Sequence, residues 1–298
     1  MRHVARREFS ALTVIGLMAP CALAQGDETP LITRAIPSSG ERVPAVGLGT
    51  ASVFDSDNEQ IRRAALQVVQ TLVAAGGRLV DTASSYGDAE SVLGAVIDAA
   101  GLRDKVFIAT KLETLNEEEL RRSMVRLKAS KVDLLQLHNV RDPRQSLAQL
   151  RAWKAQGLCR HIGITSTSHR DFAAIEAVLG REKPDFVQVD YSLDDRAVQE
   201  RILPLAADVN AGVLTALPFG RGRLFRTVRG KELPDWATGY AASWAQFFLK
   251  YLVADERVTA VIPGTSNSAH MADNLGAMRG RLPDPQERQR MTAFIDAL

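Results

Sequence analysis

Eight short, nearly continuous apolar runs punctuate this chain, and helical patterns fill the gaps between them. The runs are AVGLGT (45–50), RLVDTA (78–83), KVFIATK (105–111), VDLLQLH (132–138), HIGITS (161–166), DFVQVDYS (185–192), GVLTALP (212–218) and TAVIPGT (259–265). Runs this apolar read as strands buried on both faces, the mark of a parallel sheet covered by helices. In the first gap, Ile61, Ala65, Val68, Leu72 and Ala75 recur at helical spacing and Gly76-Gly77 ends the element. Asn116, followed by three glutamates and then Leu120, Met124 and Leu127, reads as a capped helix whose acidic first turn suits its dipole. Each strand and helix together take about 25 to 33 residues until the seventh, which takes nearly 50. That regularity predicts an α/β fold, a (β/α)8 barrel in one domain, with an insertion after the seventh strand. Residues 31–44 predict an N-terminal β-hairpin turning at Ser39-Gly40 and plugging the barrel floor. The tail from Asp284 predicts a C-terminal helix packed outside through Met291, Phe294, Ile295 and Leu298.

At 298 residues, 46% apolar and 24% charged, the chain has enough apolar side chains for one large core. Its formal charge of +2 comes from the first ten residues, where Arg2, Arg6 and Arg7 outweigh Glu8, so the remainder offers no basic field for nucleic acid. The first 24 residues have the layout of an export signal: a positive start, an apolar stretch from Ala11 to Leu23 and the small-residue site Ala22-Leu23-Ala24. Arg6-Arg7 resembles the twin-arginine signal by which bacteria export folded proteins, which predicts a periplasmic protein, with an ordinary Sec signal or a cytoplasmic location as alternatives. No stable membrane span is expected after cleavage, and residues 25–298 form the expected barrel domain. The mature chain then keeps a single thiol, Cys159, hence no internal disulfide, and no cysteine cluster or histidine pair has metal-ligand spacing.

Sites in such a barrel form where strands end in their C-terminal direction. The second run ends in Asp81, with Tyr86 five residues beyond it; the third ends in Lys111 and the fourth in His138. Singly, each has a plainer reading: a turn cap, a loop packing residue, a solvated lysine, a core histidine. Together, at consecutive strand ends, they suit protonation of a carbonyl oxygen during hydride transfer. A free phenol has a pKa of about 10 and donates poorly at neutral pH. An ammonium nearby is expected to draw it down by roughly 1 to 3 pH units. Asp81 would keep Lys111 charged and aimed, and His138 would hydrogen-bond the carbonyl oxygen.

The run LVDTASSYGDAE, Lys111 in FIATK, His138 in LLQLH and the later GITSTS, VQVDYS and VIPGTSNSAHMADNL resemble the aldo-keto reductases over residues 43–278. The resemblance implies an NADPH-dependent TIM barrel enzyme, an oxidoreductase that reduces a small-molecule aldehyde or ketone and acts on CH–OH groups in reverse. It implies Tyr86 as general acid, Lys111 and Asp81 as the groups that tune it, and His138 as the group that positions substrate; members that reduce steroid carbon–carbon double bonds carry glutamate at that last position. By the same resemblance, Thr165, Ser166 and Gln188 fall where the family holds the nicotinamide carboxamide, although Thr165 and Ser166 equally suit a cap on the next helix. Gly220-Arg221-Gly222 suits backbone approach to a pyrophosphate. Gly264, Thr265, Ser266 and Asn274 match the segment around the adenosine phosphates, next to a helix N-terminus near Ser268. Where the family often has a lysine and an arginine for the 2′-phosphate, this chain has Gly264 and His270, so NADH is a possible cofactor beside NADPH. Ala216 stands where a nicotinamide-stacking aromatic is usual, with Phe219 the nearest ring.

Phe54, Glu113 and Asn139, just past strand ends, either line the pocket or lie on the surface. Trp153, Trp244, Phe248 and Tyr251 follow helical spacing and read as core. A monomer is expected. Two other classes stay open: a cofactor-binding sensor with little turnover, suggested by the missing aromatic and the export signal, and a lyase or isomerase using Lys111 as a Schiff base.

Overall fold

The computed structural model describes residues 29–298; the expected export signal, with Arg6, Arg7 and Cys21, lies outside the described residues. An antiparallel hairpin comes first, β1 (Thr33–Ala35) and β2 (Arg42–Pro44), with Gly40 at φ 73° in its turn. Eight parallel strands follow: β3 (Leu48–Gly49), β4 (Leu79–Asp81), β5 (Phe107–Leu112), β6 (Val132–Leu137), β7 (Cys159–Ser166), β8 (Phe186–Asp190), β9 (Gly212–Ala216) and β10 (Ala260–Val261). They pair in chain order, and bridges Val46–Val261 and Gly49–Gly264 join the last to the first, so the sheet closes on itself. The barrel expected from the eight apolar runs is present.

Helices α1 (Glu59–Ala74), α2 (Ala89–Ala99), α3 (Glu117–Arg126), α4 (Ala148–Ala155), α5 (Phe172–Glu182) and α6 (Ile202–Asp208) alternate with the strands. The long segment after β9 carries the short α7 (Arg223–Thr227) before α8 (Trp244–Val253), and α9 (Ser268–Leu275) and α10 (Pro285–Asp296) end the chain. Asn116 caps α3 as expected, its Oδ1 accepting from the Glu119 amide at 2.8 Å. Among the described residues no helix is long and apolar enough to cross a membrane.

Strand parity sorts the core into two shells. Leu79, Phe107, Ala109, Leu134, Phe186, Leu214, Ala260 and Ile262 fill the barrel interior, while their neighbours Val80, Ile108, Leu135, Val187 and Val213 pack outward on the helices. Ile36 and Val43 of the hairpin join the interior shell, so the hairpin does plug the floor. His161, only 4% exposed, lies between Phe107 and Phe186 at that end, with ring centroids 6.0 and 5.7 Å away. Trp153, Phe248 and Tyr251 are buried and Trp244 stacks on Phe248, with ring centroids 5.7 Å apart, as their spacing predicts. Cys159 is buried, and burial pushes its thiol up to about 12, which leaves it inert at neutral pH.

Candidate active site

The parity that packs the floor also aims the rim. On β4, Leu79 points inward and Val80 outward, so Asp81 points inward again; on β5 the same step from Phe107 through Ala109 brings Lys111 inside. Lys111 is fully buried, and its Nζ donates to Asp81 Oδ2 at 2.7 Å and to the Thr82 carbonyl at 2.8 Å. It also faces the Tyr86 ring, 4.9 Å from the centroid. His138 follows β6 with its amide bonded to the Leu112 carbonyl at 2.8 Å, and its ring meets Tyr86 edge-on at 5.7 Å between centroids. The four residues expected to converge do converge: Asp81, Tyr86 and His138 line a cavity of about 760 Å³, and Lys111 is buried behind them.

The Tyr86 loop is held by close backbone approach. Gly87 has φ 54°, and a Cβ there would meet the Asp55 carbonyl oxygen at 2.4 Å, so only glycine fits beside Tyr86. From below, the buried Glu119 carboxylate accepts from Ser84 Oγ at 2.6 Å and from the amides of Glu113 and Thr114 at 2.9 Å each. It ties the loops after β4 and β5 to each other. The sequence offered only its place in an acidic first turn, which explains why this brace was not expected.

The electrostatics differ from the expected pattern at Tyr86. Burial raises its phenol above the ordinary value; the Lys111 ammonium pulls the other way and does not overcome it, because Asp81 opposes the pull. For Lys111, burial works against the charge, but Asp81 and Tyr86 outweigh it and its pKa stands above the ordinary value. Burial and the Lys111 charge lower His138 despite the nearby Glu113 carboxylate, so its ring is neutral at pH 7. The Glu113 carboxylate contacts His138 Nδ1 directly and accepts from Ser85 Oγ at 2.7 Å. Glu113 is outside the cavity wall and exposed, as the surface reading has it, with its carboxylate held behind the histidine. Phe54 is buried in the core, whereas Asn139, at φ 54°, lines the cavity.

The remaining rim residues divide. Gln188 faces inward from β8, lines the cavity, accepts from Gln136 Nε2 at 2.9 Å and donates to Asp81 Oδ2 at 3.3 Å. Thr165 is its register partner on β7 but is 1% exposed, and Thr167 takes the place in the wall. Ser166 is one step out of phase; its hydroxyl donates to Asp171 at 2.6 Å and accepts from the Ser168 amide at 3.2 Å, so it closes the turn ahead of α5 and does not cap that helix, whose N-cap residue is Asp171. Gly220 and Gly222 bond their amides to the Leu217 and Phe219 carbonyls at 2.8 and 2.9 Å, while Arg221, at φ 53°, and Gly222 line the cavity. Gly264 lines it too; Thr265 is buried, Ser266 and His270 are exposed, and Asn274 is buried in α9. The Asn267 side chain caps α9, accepting from the amides of Ala269 and His270 at 2.8 and 3.3 Å. Ala216, Leu217, Pro218 and Phe219 form one wall, with the Phe219 ring 4.8 Å from that of Phe225.

One grouping was hidden from linear spacing because its members leave different elements. His169 Nε2 stands 3.0 Å from Asp195 Oδ1 and 3.7 Å from Asp190 Oδ2. Burial and the Asp195 charge raise the Asp190 carboxyl above its ordinary value.

An interior ion pair, an adjoining phenol and an imidazole lie together beside one cavity, an arrangement whose groups can hold and move a proton. The chain is 26% identical over 252 residues to the methylglyoxal reductase YeaE of Escherichia coli K12, covering 80% of this chain and 87% of that one. It is 30% identical over 250 residues to an aldo-keto reductase of Mycolicibacterium smegmatis, covering 78% and 81%. Among solved structures, an aldo-keto reductase from Klebsiella pneumoniae in complex with NADPH superposes with a TM-score of 0.76 at 22% identity, covering 89% of this chain and 95% of that one. The aldo/keto reductase family profile matches residues 45–295, and this chain belongs to that family.

Proposed function

We propose that this protein reduces an aldehyde or ketone to the alcohol, with NADPH as cofactor, NADH as the alternative, and Tyr86 as the proton donor. The observation that carries the reading is the buried Lys111–Asp81 pair facing the Tyr86 ring in a wall shared with His138. The cavity is of a size that suits a dinucleotide end and a small carbonyl together. Asp81 Oδ1 is buried without a hydrogen-bond partner, and a ligand hydroxyl would supply one. Gln188 and Thr167 would hold the nicotinamide side, Arg221 and Gly222 the pyrophosphate, and Gly264 with the exposed Ser266 and His270 the adenosine side. The bound cofactor supplies hydride to the carbonyl carbon.

The residues of this chain handle the oxygen. A phenol kept protonated by burial is a full proton reservoir at neutral pH, and the alkoxide left by hydride delivery is far more basic than phenolate, water itself having a pKa of about 15.7. Proton transfer from Tyr86 is therefore downhill without a lowered pKa. Lys111 has a different task from the one expected of it: its charge stabilises the phenolate left behind, and Asp81 keeps that charge in place.

Turnover is read as loss of NADPH absorbance with a panel of aldehydes and ketones that includes methylglyoxal. Tyr86→Phe is expected to lose about 10²- to 10⁴-fold in rate, with cofactor binding, followed by fluorescence, unchanged. An undiminished rate would reject Tyr86 as the acid. Tight cofactor binding with no turnover on the whole panel would favour a sensor.

A further inference from the structure

The neutral His138 ring carries one proton, and its partners decide on which nitrogen. Glu113 is an ionised carboxylate: burial presses against its charge, but hydrogen bonds from Ser85 and Asn139, with the His138 ring, hold its pKa below the ordinary value. A carboxylate only accepts, so its contact with Nδ1 requires a proton there. Ser85 Oγ, already donating to Glu113 at 2.7 Å, lies 3.3 Å from the same nitrogen and stands as an acceptor toward it. Glu113 cannot turn away easily, since its amide is held by Glu119 at 2.9 Å and its second oxygen accepts from Asn139 at 3.4 Å. The nitrogen left for the cavity is Nε2.

We propose that Glu113 is a positioning residue of the reduction: it fixes the His138 proton on Nδ1, so Nε2 meets a substrate oxygen as a lone pair when the ring is neutral and as a donor only when the ring is an imidazolium. The inference rests on the carbonyl-reductase reading and changes the role of His138 within it. The groups facing the ring act in both directions. Lys111, from the end of β5, disfavours the imidazolium together with burial; Glu113 and the Asp81 carboxylate favour it. Tyr86 meets the ring edge-on from the loop after β4. A lone pair aimed at a carbonyl oxygen repels it, so reduction is fastest at acid pH and falls as the ring loses its second proton.

Two measurements on the full-length protein test this. In ¹⁵N-detected NMR of the ligand-free wild type near pH 8, the His138 signals, assigned by their loss in His138→Gln, are expected to show protonated Nδ1 and bare Nε2. A protonated Nε2 overturns the proposal, and that readout needs no activity. In kinetics, wild-type kcat/KM for an aldehyde is expected to fall about tenfold per pH unit above the His138 pKa and to level off about 100-fold lower. In Glu113→Gln the amide donates to Nδ1, moves the ring proton to Nε2 and flattens the profile; Glu113→Asp restores the slope. A slope unchanged in Glu113→Gln, with Tyr86→Phe inactive, refutes the role of Glu113 alone. A Tyr86→Phe enzyme as fast as wild type refutes the reductase reading beneath it.

Discussion

The two ends of this barrel each hold a half-hidden or hidden histidine, and the pair shows what strand position does to one side chain. His161 enters near the start of β7 and lies in the sealed floor, where neither ring nitrogen has a hydrogen-bond partner and aromatic rings flank it. His138 leaves the end of β6 and lies in an open cavity wall, with a carboxylate on one nitrogen and the other turned to the pocket. Burial lowers both. Charged groups lie near both rings, Glu41, Asp185, Arg160 and Lys154 at the floor, but only the rim ring is in hydrogen-bond contact with a carboxylate and lines the cavity. The floor is therefore a packing device and the rim a chemical one, although the same alternation of inward and outward residues builds both.

If that division holds, substitutions at the two ends must separate stability from turnover. The largest effect belongs to the rim: the loss in Tyr86→Phe is one of rate, and its urea midpoint should stay near wild type. Phe107→Ala, in the floor, should do the reverse. It is expected to cost about 3–5 kcal/mol of stability, read from urea unfolding, and to leave kcat within a few-fold for the fraction that is folded. A matching loss of kcat in the folded fraction would show that floor and rim are coupled. Lys111→Met sits between the two classes. It leaves Asp81 buried without its cation and should destabilise by about 3–5 kcal/mol, with recovery when Asp81→Asn is added.

The smallest effect concerns His161 and pH. Its folded pKa lies below the ordinary value, so between that value and about 6.5 the unfolded chain binds a proton that the folded chain does not. Stability is then fully present above about pH 6.5 and falls as pH drops through that window, by up to about 1.4 kcal/mol per pH unit. His161→Phe should remove this part of the acid sensitivity, seen by comparing urea midpoints at pH 8 and pH 5. An equal acid loss in both proteins would mean that His161 finds a proton partner in the folded floor.

Much of this was legible in the chain because the fold and the catalytic rim obey one short-range rule. Each apolar run appears as a strand, and counting by twos from Leu79, Phe107 and Leu134 brings Asp81, Lys111 and His138 to the same interior. Parity also separates Thr165, in phase with the interior, from Ser166, which is not. Loop geometry was harder to read. The contact of Glu113 with His138 depends on backbone turns after two different strands, including the left-handed Asn139, and on a buried Glu119 that arrives from a helix. The sign of the shift at Tyr86 is hidden for a similar reason: the approach of Lys111 is legible in the sequence, but the degree of burial that outweighs its charge is not.

Reduction in this cavity requires that hydride reach a carbonyl carbon. The most direct measurement supplies the purified protein with NADPH deuterated at the transferable C4 position of the nicotinamide, together with an aldehyde it reduces, and examines the alcohol by mass spectrometry. One deuterium on the former carbonyl carbon, with formation of that product suppressed in Tyr86→Phe, is the predicted result. Cofactor left unoxidised across the carbonyl panel, or an alcohol without deuterium, would contradict it.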